Sequence, residues 1–401
     1  MSEDPLLSVS GLQTQFFTES GTVRAVDGIS FDVYEGEIVG IVGESGAGKS
    51  VASMSLLRLI ESPGEIVAGE ITYRGKTIFA AEEGSDGQVR RHEDMLSNEA
   101  VRREIRGNEI AVIFQDPMES LNPVFTIGGQ LREFIEVNRD LSKTEAKAEA
   151  IQMLREVGIP DPANRYDEYP HQFSGGMRQR VLIAMALACR PDLIIADEPT
   201  TALDVTVEGQ ILDLVDDLQK KYGTSFIWVT HDMGVVAEIC DRVNVMYLGE
   251  IVESAPVDEL FYETSHPYTR ALLESMPRPD RTVEDLNPIS GVMPEAINPP
   301  PGCRFHPRCP DAKEICKRIH PDPRPVASAE TDEQMTVQGE RPTEHGEYPT
   351  EQVEHRSACL KGEAFDVGYE TSDPLATDAK AEATTGASRA AEIDAGGDLD
   401  E

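Results

Sequence analysis

Positions 43 to 50 are Gly43, Glu44, Ser45, Gly46, Ala47, Gly48, Lys49 and Ser50, directly after the apolar run Ile38-Val39-Gly40-Ile41-Val42. Glycines at this spacing let the backbone turn its N–H groups inward around a β-phosphate. Lys49 can then reach the β- and γ-phosphates, and the Ser50 hydroxyl can ligate Mg²⁺. The run from Val51 to Ile60 is helix-compatible, so its N-terminal dipole would face the same anion. A nucleoside triphosphate is the expected ligand. A second source of chemistry is Leu193-Ile194-Ile195-Ala196-Asp197-Glu198, an apolar strand ending in two adjacent carboxylates. Asp197 would hold Mg²⁺ through water and Glu198 would polarise the attacking water. Gln115 closes the run Ile110-Ala111-Val112-Ile113-Phe114, and His231 closes Phe226-Ile227-Trp228-Val229-Thr230. An amide at the first place can contact Mg²⁺ and water, and an imidazole at the second can contact the γ-phosphate or hold the attacking water. Taken singly, each has a plainer alternative: helix N-terminal acids, a surface glutamine, a structural histidine.

These residues need elements that carry them to one place. Positions 6–42 alternate apolar and polar residues, as in Phe31-Asp32-Val33, with glycines at 11, 21 and 36, which predicts a strand-rich beginning. The charged segment from Glu82 to about Arg106 reads as an exposed insertion ending in a helix. Helical spacing over 127–172, bounded by Pro123 and Pro170, predicts a helical subdomain set into the core. Strands are expected at Leu193 to Ala196, Phe226 to Thr230 and Val243 to Val252, with a helix from about Gly209 to Tyr222. That alternation predicts a largely parallel sheet covered by helices.

The chain has 401 residues, 39% of them hydrophobic, enough for two or three structural units. A net charge of −37 argues against nucleic acid as a partner, because phosphate backbones call for a basic face. The acidic excess is spread along the chain as well as concentrated in its tail, which suggests a halophilic cytoplasm, where salt at about 1 M shortens the Debye length to about 3 Å. The N-terminus has no basic segment followed by an apolar stretch, and the run Val181 to Cys189 is too short to span a bilayer. A cytosolic protein bound to a membrane partner is expected.

The segment Phe173-Ser174-Gly175-Gly176-Met177-Arg178-Gln179-Arg180 resembles the signature motif of ATP-binding cassette (ABC) proteins. The loop at 43–50, Gln115, this signature, Asp197-Glu198, Ala202-Leu203-Asp204 and His231 stand in that family's order. The resemblance implies an α/β fold: a P-loop NTPase of ABC type with an antiparallel β subdomain, an inserted helical subdomain and a small C-terminal cysteine-containing region. Physically, the Ser174 hydroxyl and the amides of Gly175 and Gly176 lie at a helix N-terminus, a second anion site without its own lysine. In the family the signature of one subunit caps the γ-phosphate of ATP held by another, so binding closes a head-to-tail dimer and hydrolysis opens it. The family position for adenine stacking falls on Phe16, with Phe17 as fallback, and either ring could equally be core packing.

Over roughly residues 6–360 the chain resembles the ATPase subunits of peptide and nickel importers. The matches are Phe114-Gln115-Asp116-Pro117-Met118 with Ser120-Leu121-Asn122-Pro123, then His171-Gln172-Phe173, and His266-Pro267-Tyr268-Thr269. This implies a second, related ABC ATPase, two membrane permease subunits and an extracytoplasmic solute-binding protein as partners, and a peripheral position on the cytoplasmic face of the membrane. The tail motif Gly302-Cys303-Arg304-Phe305-His306-Pro307-Arg308-Cys309-Pro310, with Cys316 and Cys359, belongs to the same resemblance. Four thiolates can enclose a metal: the resemblance implies a [4Fe–4S] cluster in some members, zinc also accepts four thiolates, and four free thiols are the remaining alternative. Cys189 and Cys240 are expected in the core. The domains expected are an ATPase domain over 1–275 with its helical subdomain at about 116–180, a C-terminal transporter-type region over 276–362, and a disordered acidic tail over 363–401. The expected function is ATP hydrolysis driving import of di- or oligopeptides, with nickel or another solute as the alternative. A soluble cassette ATPase acting on DNA or ribosomes is disfavoured, because there is one phosphate loop, no long heptad run and no basic stretch.

Overall fold

The computed structural model describes residues 4–85, 87–115, 120–201, 203–276, 289–326 and 354–360. By contacts the chain divides after Ala358. The first unit holds every element below; the expected tail 363–401 lies outside the described residues, as do Asp116, Pro117, Met118 and Ala202.

Strand β3 (Ile38–Val42) is buried at every position, as a central strand covered on both faces must be. It lies between β10 (Arg242–Tyr247) and β9 (Ser225–Thr230), followed outward by β8 (Leu193–Asp197) and β7 (Ile110–Ile113), all parallel. On the other side of β10 the sheet turns antiparallel with β11 (Glu250–Pro256), β13 (Arg356–Ser357) and β12 (Arg324–Pro325). The stretch 243–252, expected as one strand, is therefore the hairpin β10–β11. Its turn is Leu248, with φ 47°, followed by Gly249, with φ 85°, so the chain reverses inside a run that looks continuously apolar.

A second, antiparallel sheet runs β2 (Gly21–Val33), β1 (Leu7–Thr18), β4 (Gly64–Tyr73), β5 (Lys76–Glu83) and β6 (Val89–Arg91). The β4–β5 turn is Arg74-Gly75 with φ 46° and 72°, the paired positive angles of a tight hairpin. The segment expected as an exposed insertion starts in the last residues of β5 and includes β6; it is mostly exposed, but its end is anchored. A π-helical turn over Val101–Ile105 buries both of those residues, four positions apart, in the core beneath the antiparallel sheet.

Helices α1 (Lys49–Leu56), α2 (Ile127–Asn138), α3 (Lys143–Glu156), α4 (Gly175–Leu187) and α5 (Val205–Tyr222) follow in chain order. Ser142 and Glu145 form a reciprocal capping box at the start of α3, and Asp204 caps α5 by accepting the Val207 N–H at 3.0 Å. The parallel strands separate two cores. Ile38, Val42, Ile194, Ala196, Phe226 and Trp228 pack with the helical layer. Val39, Ile41, Leu193, Ile195, Ile227 and Val229 pack with the antiparallel sheet. This is the two-residue alternation of a strand buried on both sides. Among the described residues no helix is long and apolar enough to cross a membrane.

Candidate nucleotide site

The phosphate-loop residues, Asp197 with Glu198, and His231 all follow the C-terminal ends of parallel strands, where open α/β sheets bind ligands. Two glycines fix the loop's path. A Cβ on Gly48, whose φ is 104°, would stand 2.1 Å from the Ala25 carbonyl oxygen, and one on Gly43 would stand 2.3 Å from that of Met246. Only glycine lets the loop pass this close to β2 and β10.

Lys49 heads α1 with its side chain 5% exposed and its Nζ donating to the carbonyls of Gly43 at 2.8 Å and Glu44 at 3.2 Å. Burial lowers its pKa, opposed by the charges of Glu198, Asp197 and Glu44. Ser50 Oγ donates to Asp197 Oδ1 at 3.1 Å, and burial raises the Asp197 pKa against that bond. Glu198 adopts φ 47°, a left-handed turn that takes it out of the strand. Its carboxylate accepts from Gln115 Nε2 at 3.1 Å and Thr201 Oγ1 at 2.9 Å, with His231 Nδ1 at 3.3 Å and Lys49 Nζ at 3.8 Å. Every member of this group except Thr201 is a candidate named from the sequence, Gln115 and His231 on the strength of the family resemblance; the Thr201 hydroxyl follows Glu198 by three residues and carries no motif of its own.

The signature lies at the head of α4. Ser174 caps α4, its Oγ accepting the Met177 N–H at 3.3 Å, and Ser174 and Gly175 are exposed. A Cβ on Gly176 would meet Val207 Cγ1 at 2.5 Å, so a side chain there would displace Val207 where α4 approaches α5. Phe16 is half-buried on β1, with its ring against Gly64, whereas Phe17 is 49% exposed.

None of the six cysteines is in a disulfide, and among the described residues no group of three or more His, Cys, Asp or Glu side chains is placed to hold a metal ion. Cys303 and Cys316 meet through the backbone, where the Cys303 N–H donates to the Cys316 carbonyl at 2.8 Å, and Cys303 and Cys309 pack against the apolar core. Cys359 falls in the second unit. A four-thiolate centre therefore draws no support from the described residues. Cys240 is buried in the core as expected, while Cys189 is partly buried and its thiol is pushed up to about 11 by burial.

A connection that the sequence did not disclose joins the C-terminal region to the loop. Phe305 is buried against Tyr247, Tyr268 and His266, with ring centroids 5.2, 5.3 and 5.9 Å away. Tyr268 OH accepts the Glu44 N–H at 2.9 Å. His266 caps the helix Pro267–Glu274 (α6), its Nδ1 accepting the Tyr268 N–H at 3.1 Å, and burial pushes its pKa from 6.5 down to about 4 against the opposing pull of Glu253. Between those two values the unfolded chain holds the extra proton, so stability is lost as pH falls from 6.5 towards 4. Relative to His266→Asn, the wild-type chain should lose about 2 kcal/mol more between pH 7 and pH 5 in urea unfolding. Equal losses in the two proteins would show that the imidazole is not held neutral.

Comparison with known proteins agrees with this geometry. A family profile described as ABC transporter matches residues 26–201, and one described as oligopeptide/dipeptide transporter, C-terminal region, matches residues 252–316. The chain is 48% identical to the dipeptide transport ATP-binding protein DppD of Bacillus subtilis, over 79% of this chain and 90% of that one. It is 46% identical to the protein of the same name from Escherichia coli, over 79% and 92%. Among solved structures, the ATP-binding cassette MJ0796 bound to ADP and Pi shares the fold, with a TM-score of 0.53 and 24% identity over 63% of this chain and 98% of that one. The structure of cbiO1 from Clostridium perfringens gives a TM-score of 0.52 and 28% identity, over 65% and 92%. The chain belongs to the ABC transporter ATP-binding family, in the dipeptide/oligopeptide branch that carries this C-terminal region, and is an ABC ATPase using ATP and Mg²⁺.

Proposed function

We propose that this chain energises import of dipeptides or oligopeptides through a membrane permease, as the names of its relatives suggest. The observation that carries the reading is a complete hydrolytic group, Lys49, Ser50, Asp197, Glu198, Gln115 and His231, in one chain with a match to the peptide-transporter C-terminal region. Lys49 and the amides of residues 43–50 bind the β- and γ-phosphates. Ser50 would ligate Mg²⁺ through its hydroxyl, Asp197, whose Oδ1 accepts from Ser50 Oγ at 3.1 Å, would hold it through water, and the Gln115 amide, which donates to Glu198 at 3.1 Å, would contact it as well; few protein ligands beside phosphates and water suit this ion. Held there, Mg²⁺ would supply positive charge to offset that of the transferring phosphoryl group. Glu198 takes the proton of the attacking water; Gln115 and His231 orient that water and the carboxylate. Phe16, or Phe17 beside it, stacks on adenine.

Ser174, Gly175 and Gly176 serve the other half of the mechanism. The exposure of Ser174 and Gly175 at a helix N-terminus suits this turn to a γ-phosphate held by a second, related ATPase, so that ATP closes the pair and hydrolysis reopens it. Two permease subunits and an extracytoplasmic solute-binding protein complete the assembly, and this chain sits peripherally on the cytoplasmic face. Reconstitution with the permease and binding protein in vesicles tests the assignment: ATP hydrolysis should rise several-fold when a dipeptide is supplied on the binding-protein side. Stimulation by Ni²⁺ instead would move the cargo to nickel, and recovery of the chain with nucleic acid rather than a permease would remove the transport reading.

Two further readings rest on sequence. The cysteines as ligands of a [4Fe–4S] cluster, or of zinc, draw no support from the described geometry; iron, sulfide and zinc analysis of anaerobically prepared protein decides between a metal and free thiols. The acidic surface suits a salt-rich, halophilic cytoplasm, and a melting temperature unchanged between dilute buffer and molar KCl would count against it.

A further inference from the structure

Glu44, the second residue of the phosphate loop, is held from three directions. Arg308 grips its carboxylate with both guanidinium arms, Nη1 to Oε2 at 2.6 Å and Nη2 to Oε1 at 3.0 Å. Tyr268 OH accepts its backbone N–H at 2.9 Å, and its carbonyl accepts from Lys49 Nζ at 3.2 Å. Arg308 is itself fixed. Its Nε donates to the Ser290 carbonyl at 3.0 Å, its guanidinium lies 5.9 Å from the Tyr247 ring centroid, and its side chain is 4% exposed. Met293, from the same segment, reaches the loop as well, its sulfur 3.8 Å from where a Cβ on Gly46 would stand.

This arrangement has an electrostatic purpose. Glu44 places a negative charge in a loop that must receive a polyanion, and that charge is felt by the Lys49 ammonium. A bare carboxylate there would oppose the phosphates. A bidentate arginine both cancels the charge and fixes the side chain, which a lysine's single point charge does less well. We propose that Arg308, supported by Tyr268, is a positioning residue of the nucleotide site: it masks and orients Glu44, so that the C-terminal transporter region sets ATP affinity from 264 residues away. The inference rests on ATP binding at residues 43–50.

The test is a double-mutant cycle on the full-length chain, reading Mg²⁺-dependent binding of a fluorescent ATP analogue. Arg308→Ala should weaken binding about tenfold at low ionic strength, the scale of one unmasked like charge, and the loss should shrink in molar salt. On a Glu44→Gln background the same Arg308→Ala change should alter affinity less than about twofold, because no charge remains to unmask. An equal loss on both backgrounds, or no loss on either, overturns the proposal. If Arg308→Ala does not melt cooperatively, Arg308→Lys replaces it. Keeping the charge without the fork, it should cost about threefold on the wild-type background and nothing measurable with Glu44→Gln; an equal cost on both overturns the proposal too. Failure of the wild-type chain to bind the analogue would instead strike the ATP-binding reading itself.

Discussion

Glu198→Gln is expected to lower ATP turnover by roughly 10²–10⁴-fold, the usual contribution of a general base, while ATP affinity stays close to that of the unaltered chain. The amide is nearly isosteric and keeps an oxygen to accept from Gln115 and Thr201, now at 3.1 and 2.9 Å. It cannot take a proton from water, and it no longer attracts Lys49 or His231, which stand 3.8 and 3.3 Å from the carboxylate. The left-handed turn at Glu198, with φ 47°, costs glutamine about what it costs glutamate, so the site should remain intact. With its proper mate and saturating nucleotide this variant should accumulate as a closed pair, visible by size-exclusion chromatography. Turnover near the normal rate would remove Glu198 from the role of base.

The second large effect belongs to Lys49. Lys49→Ala should weaken ATP binding by roughly 10²–10³-fold, within the range seen when one member of a buried charge group is removed. The loss has two sources. The ammonium that would reach the phosphates is gone, and the carboxylates of Asp197 and Glu198, both of which act on Lys49, lose its charge. Lys49→Arg should not restore binding, because a guanidinium is too broad for a side chain that is 5% exposed and hydrogen-bonded to two carbonyls of its own loop. Equilibrium binding of the fluorescent analogue separates this result from that of Glu198→Gln: one variant loses affinity, the other only turnover. Unimpaired binding by Lys49→Ala would contradict the placement of the phosphates.

The two sets of residues differ in how well the sequence revealed them. Phosphate binding needs amides, a lysine and a hydroxyl within one turn of chain, so residues 43–50 are readable as a string. Gln115, Asp197-Glu198 and His231 are readable because each terminates an apolar strand, and parallel strands deliver their ends to one edge. Arg308 and Glu44 meet by tertiary packing alone, through the aromatic cluster of Tyr247, Tyr268 and Phe305, and nothing local to either residue points to the other. The same limit explains the misread elements. Val101 and Ile105 are buried although charged residues lie between them, and the turn at Leu248 is hidden because leucine seldom takes a positive φ.

Strand β3 has a mechanical consequence for the nucleotide loop. Its neighbours β9 and β10 hold it edge to edge by backbone bonds, and its side chains are divided between the two cores. It acts as a bulkhead common to both compartments, with Gly43 at its tip. Side chains from the helical core and from the antiparallel core therefore both pack on the one strand that leads into the nucleotide loop.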